Sequence, residues 1–155
     1  MLLCWCMGNA ANQIKEFYTL PEREKLFRYD SLAINVIVKN SQGGINSCDI
    51  PYTDNLELFN SSYLQLTNTV KNSCQSIFNE NLMVIGTSAM TATKLECIVN
   101  QYTDKFCNPM VMWGQYHKGW FKTTLSISFQ FHHVQMDGAH AAEFLEPFQR
   151  TINTT

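Results

Sequence analysis

Ser126-Ile127-Ser128-Phe129-Gln130-Phe131-His132-His133-Val134-Gln135-Met136-Asp137-Gly138 changes character midway. Ile127, Phe129 and Phe131 alternate with Ser126, Ser128 and Gln130, the period of a strand with one buried face. Two histidines end that strand, and a short connection leads through Asp137-Gly138 into a helical pattern from Ala139. A histidine at the point where a strand leaves its sheet has a held backbone and a ring near a cleft, which is the geometry of a general base. Its ordinary pKa near neutral pH suits it to taking a proton from a hydroxyl. His132, one residue earlier, faces the other side of an alternating strand, so packing and hydrogen bonding are its expected part.

The motif His-His-x-x-x-Asp-Gly, continued by His140 and Ala141-Ala142-Glu143-Phe144-Leu145, resembles the active-site segment of the chloramphenicol acetyltransferase family. Related motifs occur in lipoamide acyltransferases and peptide-synthetase condensation domains. Pro109-Met110-Val111-Met112-Trp113-Gly114 is similar to the family's Pro-x-x-x-x-Gly strand. The resemblance implies an α/β fold of the α+β two-layer kind, a CoA-dependent acyltransferase sandwich with helices on one face of a mixed sheet. It further implies acetyl-CoA as co-substrate, a small-molecule alcohol as acceptor and a homotrimer in which the base of one subunit faces the acceptor pocket of the next. His133 takes the place of the family's general base, and Asp137 and Gly138 that of the groups supporting it. Tyr116 falls where the family has an aromatic near the CoA adenine, and Met112 where it has a pocket threonine.

Several positions depart from the family pattern. Its aspartate pairs with an arginine from the N-terminal segment, whereas Arg23, Arg28 and Arg150 match no such place. An unpaired buried carboxylate is costly, so either Asp137 is more exposed here or the His133 turn is looser. The family's oxyanion-binding serine corresponds to Gly86; Thr87 and Ser88 follow at once and can restore a hydroxyl after a shift of one or two residues, though ordinary strand-end polarity explains them equally. Met90 and Glu96 stand where the family has pocket aromatics, which argues against chloramphenicol itself and leaves another hydroxyl compound as acceptor.

Composition bounds the remaining choices. The 155 residues suit one domain, 1–155, able to bury a core, and 45% hydrophobic and 12% aromatic residues exclude a disordered chain. A net charge of −2 supplies no basic face for a phosphate backbone, so no nucleic-acid partner is expected. Cys4, Cys6, Cys48, Cys74, Cys97 and Cys107 lack metal-site spacing and are read as small buried hydrophobes in a reducing cytoplasm; no metal is expected. The apolar start, Met1 to Met7, is too short to span a bilayer, and no membrane partner is expected.

In chain order, helical spacing of Leu2, Leu3, Cys6, Ala10, Ile14 and Phe17 predicts a helix from Met1 to Tyr18. That stretch resembles the family's second helix, so the chain is expected to be truncated at its N-terminus relative to the family. Leu26 to Asp30 and Ser31 to Lys39 suggest a hairpin; Ser41 to Gly44 is a turn, and Ile45 to Tyr52 adds an edge strand. Thr53 or Asp54 can cap a helix carrying Leu56, Phe59, Tyr63, Leu66, Val70, Cys74 and Ile77 at steps of three and four, which is read as core packing. Leu82 to Gly86 is a buried strand, Thr87 to Asn100 can pair with it, and Thr103 to Lys105 is a loop. Pro109 to Tyr116 and Trp120 to Phe131 are strands, and Ala139 to Ile152 is the last helix. Two readings of function follow: an O-acetyltransferase with His133 as base, or a truncated, catalytically silent relative that keeps the oligomeric scaffold or a binding role.

Overall fold

The computed structural model describes residues 1–22, 25–99 and 106–155. The chain opens with α1, Leu2–Ala11, a helix apolar on nearly every side that buries Cys4, Cys6, Met7, Gly8, Ala10 and Ala11. It stops seven residues short of the expected Tyr18. Ile14 is extended, and the chain continues as a 3-10 turn, Lys15–Tyr18. Ile14 and Phe17 are still buried, because a spacing of three residues keeps side chains on one side in 3-10 as in α geometry.

Two short strands follow, β1 (Thr19–Glu22) and β2 (Lys25–Arg28), paired antiparallel with Thr19 opposite Arg28. The residues expected to pair with Ser31–Lys39 thus pair backwards instead. The strand β3 (Leu32–Lys39) takes as its hairpin partner β4 (Ile45–Pro51), the edge strand that the sequence suggested. Their turn is built by Asn40, whose Oδ1 accepts from Gln42 N and Gly44 N, and by Gly43 at φ +87, a conformation a side chain would strain.

Helix α2, Leu56–Ser73, is capped by Asn55, whose side chain accepts from Leu58 N at 3.0 Å. Thr53 and Asp54 do not cap it; the Asp54 carboxylate is taken by the Tyr52 hydroxyl at 2.6 Å. Phe59 and Val70 are its buried residues, and it packs on β4 and β3. Cys74 ends it in the left-handed region, so Ile77 no longer belongs to the helix and bridges to Cys48 of β4.

Strand β5 (Met83–Ala89) lies parallel to β3 on one side and to β6 (Met110–Trp113) on the other. This overturns the expectation that Thr87–Asn100 forms a partner strand. The chain stays in β5 as far as Ala89, and β6 occupies the edge that a second strand would need. The expected loop at Thr103–Lys105 lies outside the described residues. A small hairpin of β7 (His117–Lys118) and β8 (Thr123–Thr124) precedes β9 (Ile127–Gln130), which runs antiparallel to β6. The main sheet has the order β4-β3-β5-β6-β9 and is mixed. Helix α3, Gly138–Thr154, then packs against α1.

Alternation sorts the sheet into two faces. Leu32, Ile34, Val36, Ile50, Met83, Ile85 and Val111 join Met7, Phe59, Val70, Phe144 and Phe148 in one core, which puts the three helices on a single face. Asn35, Ile37, Gly86, Ser88, Met112 and Ser128 have the opposite parity and belong to the other face. Among the described residues no helix is long and apolar enough to cross a membrane.

Candidate active site

The turn that carries the histidines is fixed at both ends. On the strand side, Phe129 stacks on Phe17 with ring centroids 6.0 Å apart and lies 4.7 Å from Phe144, while Phe17 and Phe144 are 5.0 Å apart. Three elements thereby meet in one aromatic cluster: β9, the 3-10 turn and α3. Within the turn, the His132 carbonyl accepts from Gln135 N at 2.8 Å and from Met136 N at 3.2 Å. His132 Nδ1 accepts from Val134 N at 3.2 Å, so its ring is used in shaping the turn. His133, between these bonds, is exposed.

Asp137 begins α3. Its Oδ1 accepts from Ala139 N at 2.9 Å and His140 N at 3.2 Å, while its own N–H donates to His140 Nδ1, closing a capping box. Hydrogen bonds from the backbone N–H groups of His140 and Ala139, with the His140 ring beside them, hold the Asp137 carboxyl below the ordinary carboxylate range. The side chain is 54% exposed, and a ring nitrogen of His140 lies 2.8 Å from it. The N-terminal end of α3 thus faces the carboxylate for which the sequence offers no arginine. Gly138 has open space around it and simply opens the helix.

The other singled-out residues lie on the sheet. Gly86 is opposite Met110, and a Cβ at Gly86 would sit 2.1 Å from the Met110 sulfur. Thr87 is buried on the helix side, where its hydroxyl donates to the Asn35 carbonyl at 2.7 Å. Ser88 is half-buried on the open face, paired with Met112 of β6. Tyr116 follows β6 and is 66% exposed.

A surface cleft of about 260 Å³ opens at the other end of β9, lined by Lys94, Leu95, Glu96, Gln115, His117, Thr124 and Ser126. Leu95 closes its floor against Gly114, where a Cβ would come within 2.8 Å of the leucine side chain. Of these lining residues the sequence marked Glu96 alone as a pocket position, while Ser126 entered only as part of the β9 alternation. The cleft forms where the segment after β5 folds back over β9, with Ser128 Oγ donating to the Ile98 carbonyl at 3.3 Å, and no local pattern announces such a return. The strand β9 alone spans about 13 Å at ~3.3 Å per residue, so within one chain His133 and the cleft stand apart.

Comparison with known proteins agrees with this architecture. The family model described as chloramphenicol acetyltransferase matches residues 1–149. Chloramphenicol acetyltransferase 3 of Escherichia coli is 24% identical over 161 residues, which cover 99% of this chain and 74% of that protein. Among solved structures, a chloramphenicol acetyltransferase superposes with a TM-score of 0.80 at 16% identity, covering 96% of this chain and 75% of the other. A probable dihydrolipoamide acetyltransferase from Listeria monocytogenes superposes at 0.71 with 10% identity, covering 99% and 69%. At such identities the structures share the fold, while the family model spans nearly the whole sequence: the chain belongs to the chloramphenicol acetyltransferase family.

Proposed function

We propose that this protein is an acetyl-CoA-dependent O-acetyltransferase in which His133 is the general base. One observation carries the reading: an exposed imidazole on a turn held by the His132 carbonyl and followed at once by a capped helix. A base so placed keeps its geometry while its ring meets substrate. A ring nitrogen of His133 takes the proton of the acceptor hydroxyl as that oxygen bonds to the thioester carbonyl carbon. When the carbon–sulfur bond breaks, the same nitrogen returns the proton to the departing CoA sulfur. The products are an acetyl ester and free CoA, and no acyl-enzyme is required.

The cleft is the natural acceptor site on this reading. At about 260 Å³ it is a small cleft open to solvent, with room for a further wall. A neighbouring copy that brings its His133 to the cleft would complete both halves, in a homotrimer. Lys94 lines the cleft and Lys118 lies on the hairpin beside it, and either can meet an anionic co-substrate.

The silent-scaffold reading is favoured by one feature, the Met110 sulfur in the place where a side chain at Gly86 would present a hydroxyl. Release of free CoA from acetyl-CoA, measured across a panel of alcohols, separates the two. Turnover that disappears in His133→Ala is the expected result. A folded trimer with no turnover on any alcohol would establish the scaffold instead.

A further inference from the structure

Gln135 lies two residues beyond His133 and is only 5% exposed, although His133, Val134 and Asp137 around it are exposed. Its Nε2 donates to the carbonyl oxygens of Glu16, at 3.3 Å, and of Thr19. These acceptors belong to the 3-10 turn and to the first residue of β1, 119 and 116 residues away along the chain. Two carbonyls on one amide fix its orientation, because turning it over would set Oε1 against two acceptors. The same segment reaches α3 on the far side of the turn, where Glu16 Oε1 lies 3.5 Å from His140 Nε2.

The remaining atom of the amide argues against simple filling. Gln135 Oε1 is buried and has no hydrogen-bond partner among the described residues. An aliphatic side chain of the same volume would fill the space and avoid that orphan acceptor. What an aliphatic side chain lacks is directional donation to the Glu16 and Thr19 carbonyls.

We infer that Gln135 is a positioning residue, fastening the His133 turn to the segment between α1 and β2 so that the imidazole is held in one place. As a claim about reaction rate, this rests on His133 being the base proposed above. Without the fastening, β9 and α3 still pack through their phenylalanines, but the turn between them gains freedom.

Gln135→Met keeps the volume and removes the donor. In acetyl transfer its kcat should fall roughly ten- to a hundredfold, while KM for acetyl-CoA stays within about twofold. The unfolding midpoint should stay near that of the unaltered protein, so that the loss is one of placement and not of folding. An unchanged kcat in folded Gln135→Met, with activity still lost in His133→Ala, overturns the inference and leaves the acetyltransferase reading intact. A second measurement needs neither a variant nor turnover. Backbone NMR order parameters at Val134 and Gln135 of the unaltered protein should be about 0.85, as in the flanking β9 and α3, and values clearly below those of the flanking elements overturn the fastening. If those residues are ordered, lose order in Gln135→Met, and no alcohol is acetylated, the fastening stands and the acetyltransferase reading fails.

Discussion

Met110 decides what Gly86 can be. Its sulfur lies where a β-carbon at 86 would sit, yet a thioether near the end of a flexible side chain moves aside more readily than backbone would. Gly86→Ser should therefore fold, with Met110 in another rotamer. On the proposed mechanism it adds a hydroxyl to the open face of the sheet and raises kcat by about tenfold or more, since a single oxyanion donor is worth that much and often more. Steady-state kinetics of the folded variant check this, and an unchanged or lower kcat would deny the position any such role. Cys74 presents the opposite case, a side chain where none is favoured. It closes α2 at φ 57, a conformation in which glycine is unstrained. Cys74→Gly should stabilise the protein by about 0.5–1 kcal/mol in urea unfolding, because relief at the left-handed position outweighs the added freedom of the unfolded chain.

Elements show which parts of the fold were legible. The passage from β9 to α3 could be read because alternation stops at His132, a capping residue stands at Asp137 and helical spacing starts directly after it. Even Pro147, inside α3, does not interrupt the helix, since Phe144 and Phe148 grip it on either side of the proline. The end of α1 was obscured by Ile14 and Phe17, whose spacing fits two kinds of turn. The β1–β2 hairpin is local, but Pro21 reads as a helix end and the polar run from Glu22 to Lys25 as a connection. The single long β5 was hidden for another reason: its partners, β3 and β6, lie far along the chain. Gln135 escaped notice on the same ground, as its acceptors are more than a hundred residues away. Exposed His133 needed no distant partner and was visible at once, whereas the cleft, made from three separated segments, was not.

Phe144 is fully buried at the centre of the ring cluster, and Phe144→Ala should cost about 3–5 kcal/mol in denaturant unfolding; a loss below about 1 kcal/mol would mean the cluster does not hold β9 to α3. The Asp137 cap predicts a pH dependence whose sign is fixed. Its folded carboxyl titrates below the ordinary range, so the stabilisation is complete above the ordinary carboxylate pKa, near 3.9, and disappears as pH falls through the lower folded value. Melting curves of Asp137→Asn and the unaltered protein should therefore differ at neutral pH and converge in acid. A gap that stays constant through that range would remove the charge from the explanation.

At the scale of the molecule, the distance along β9 becomes the main constraint. On the proposed mechanism, a base at His133 and an acceptor in the cleft stand too far apart to serve one substrate within one chain, whereas two copies placed end to end around a closed ring would bring them together. Ring closure has a consequence that no arrangement within a single chain shares. His133→Ala removes the base and keeps the cleft, while Ser126→Trp fills the cleft and keeps the base. Each variant alone should be inactive. If every site draws its base and its cleft from different copies, unfolding and refolding the two in equal amounts joins an intact base to an intact cleft at about one site in four. Acetyl transfer should then return to about a quarter of the unaltered rate, with the refolded material sedimenting as a trimer. Refolded trimers that remain inactive would show that base and cleft belong to one subunit, and the shared site would have to be abandoned.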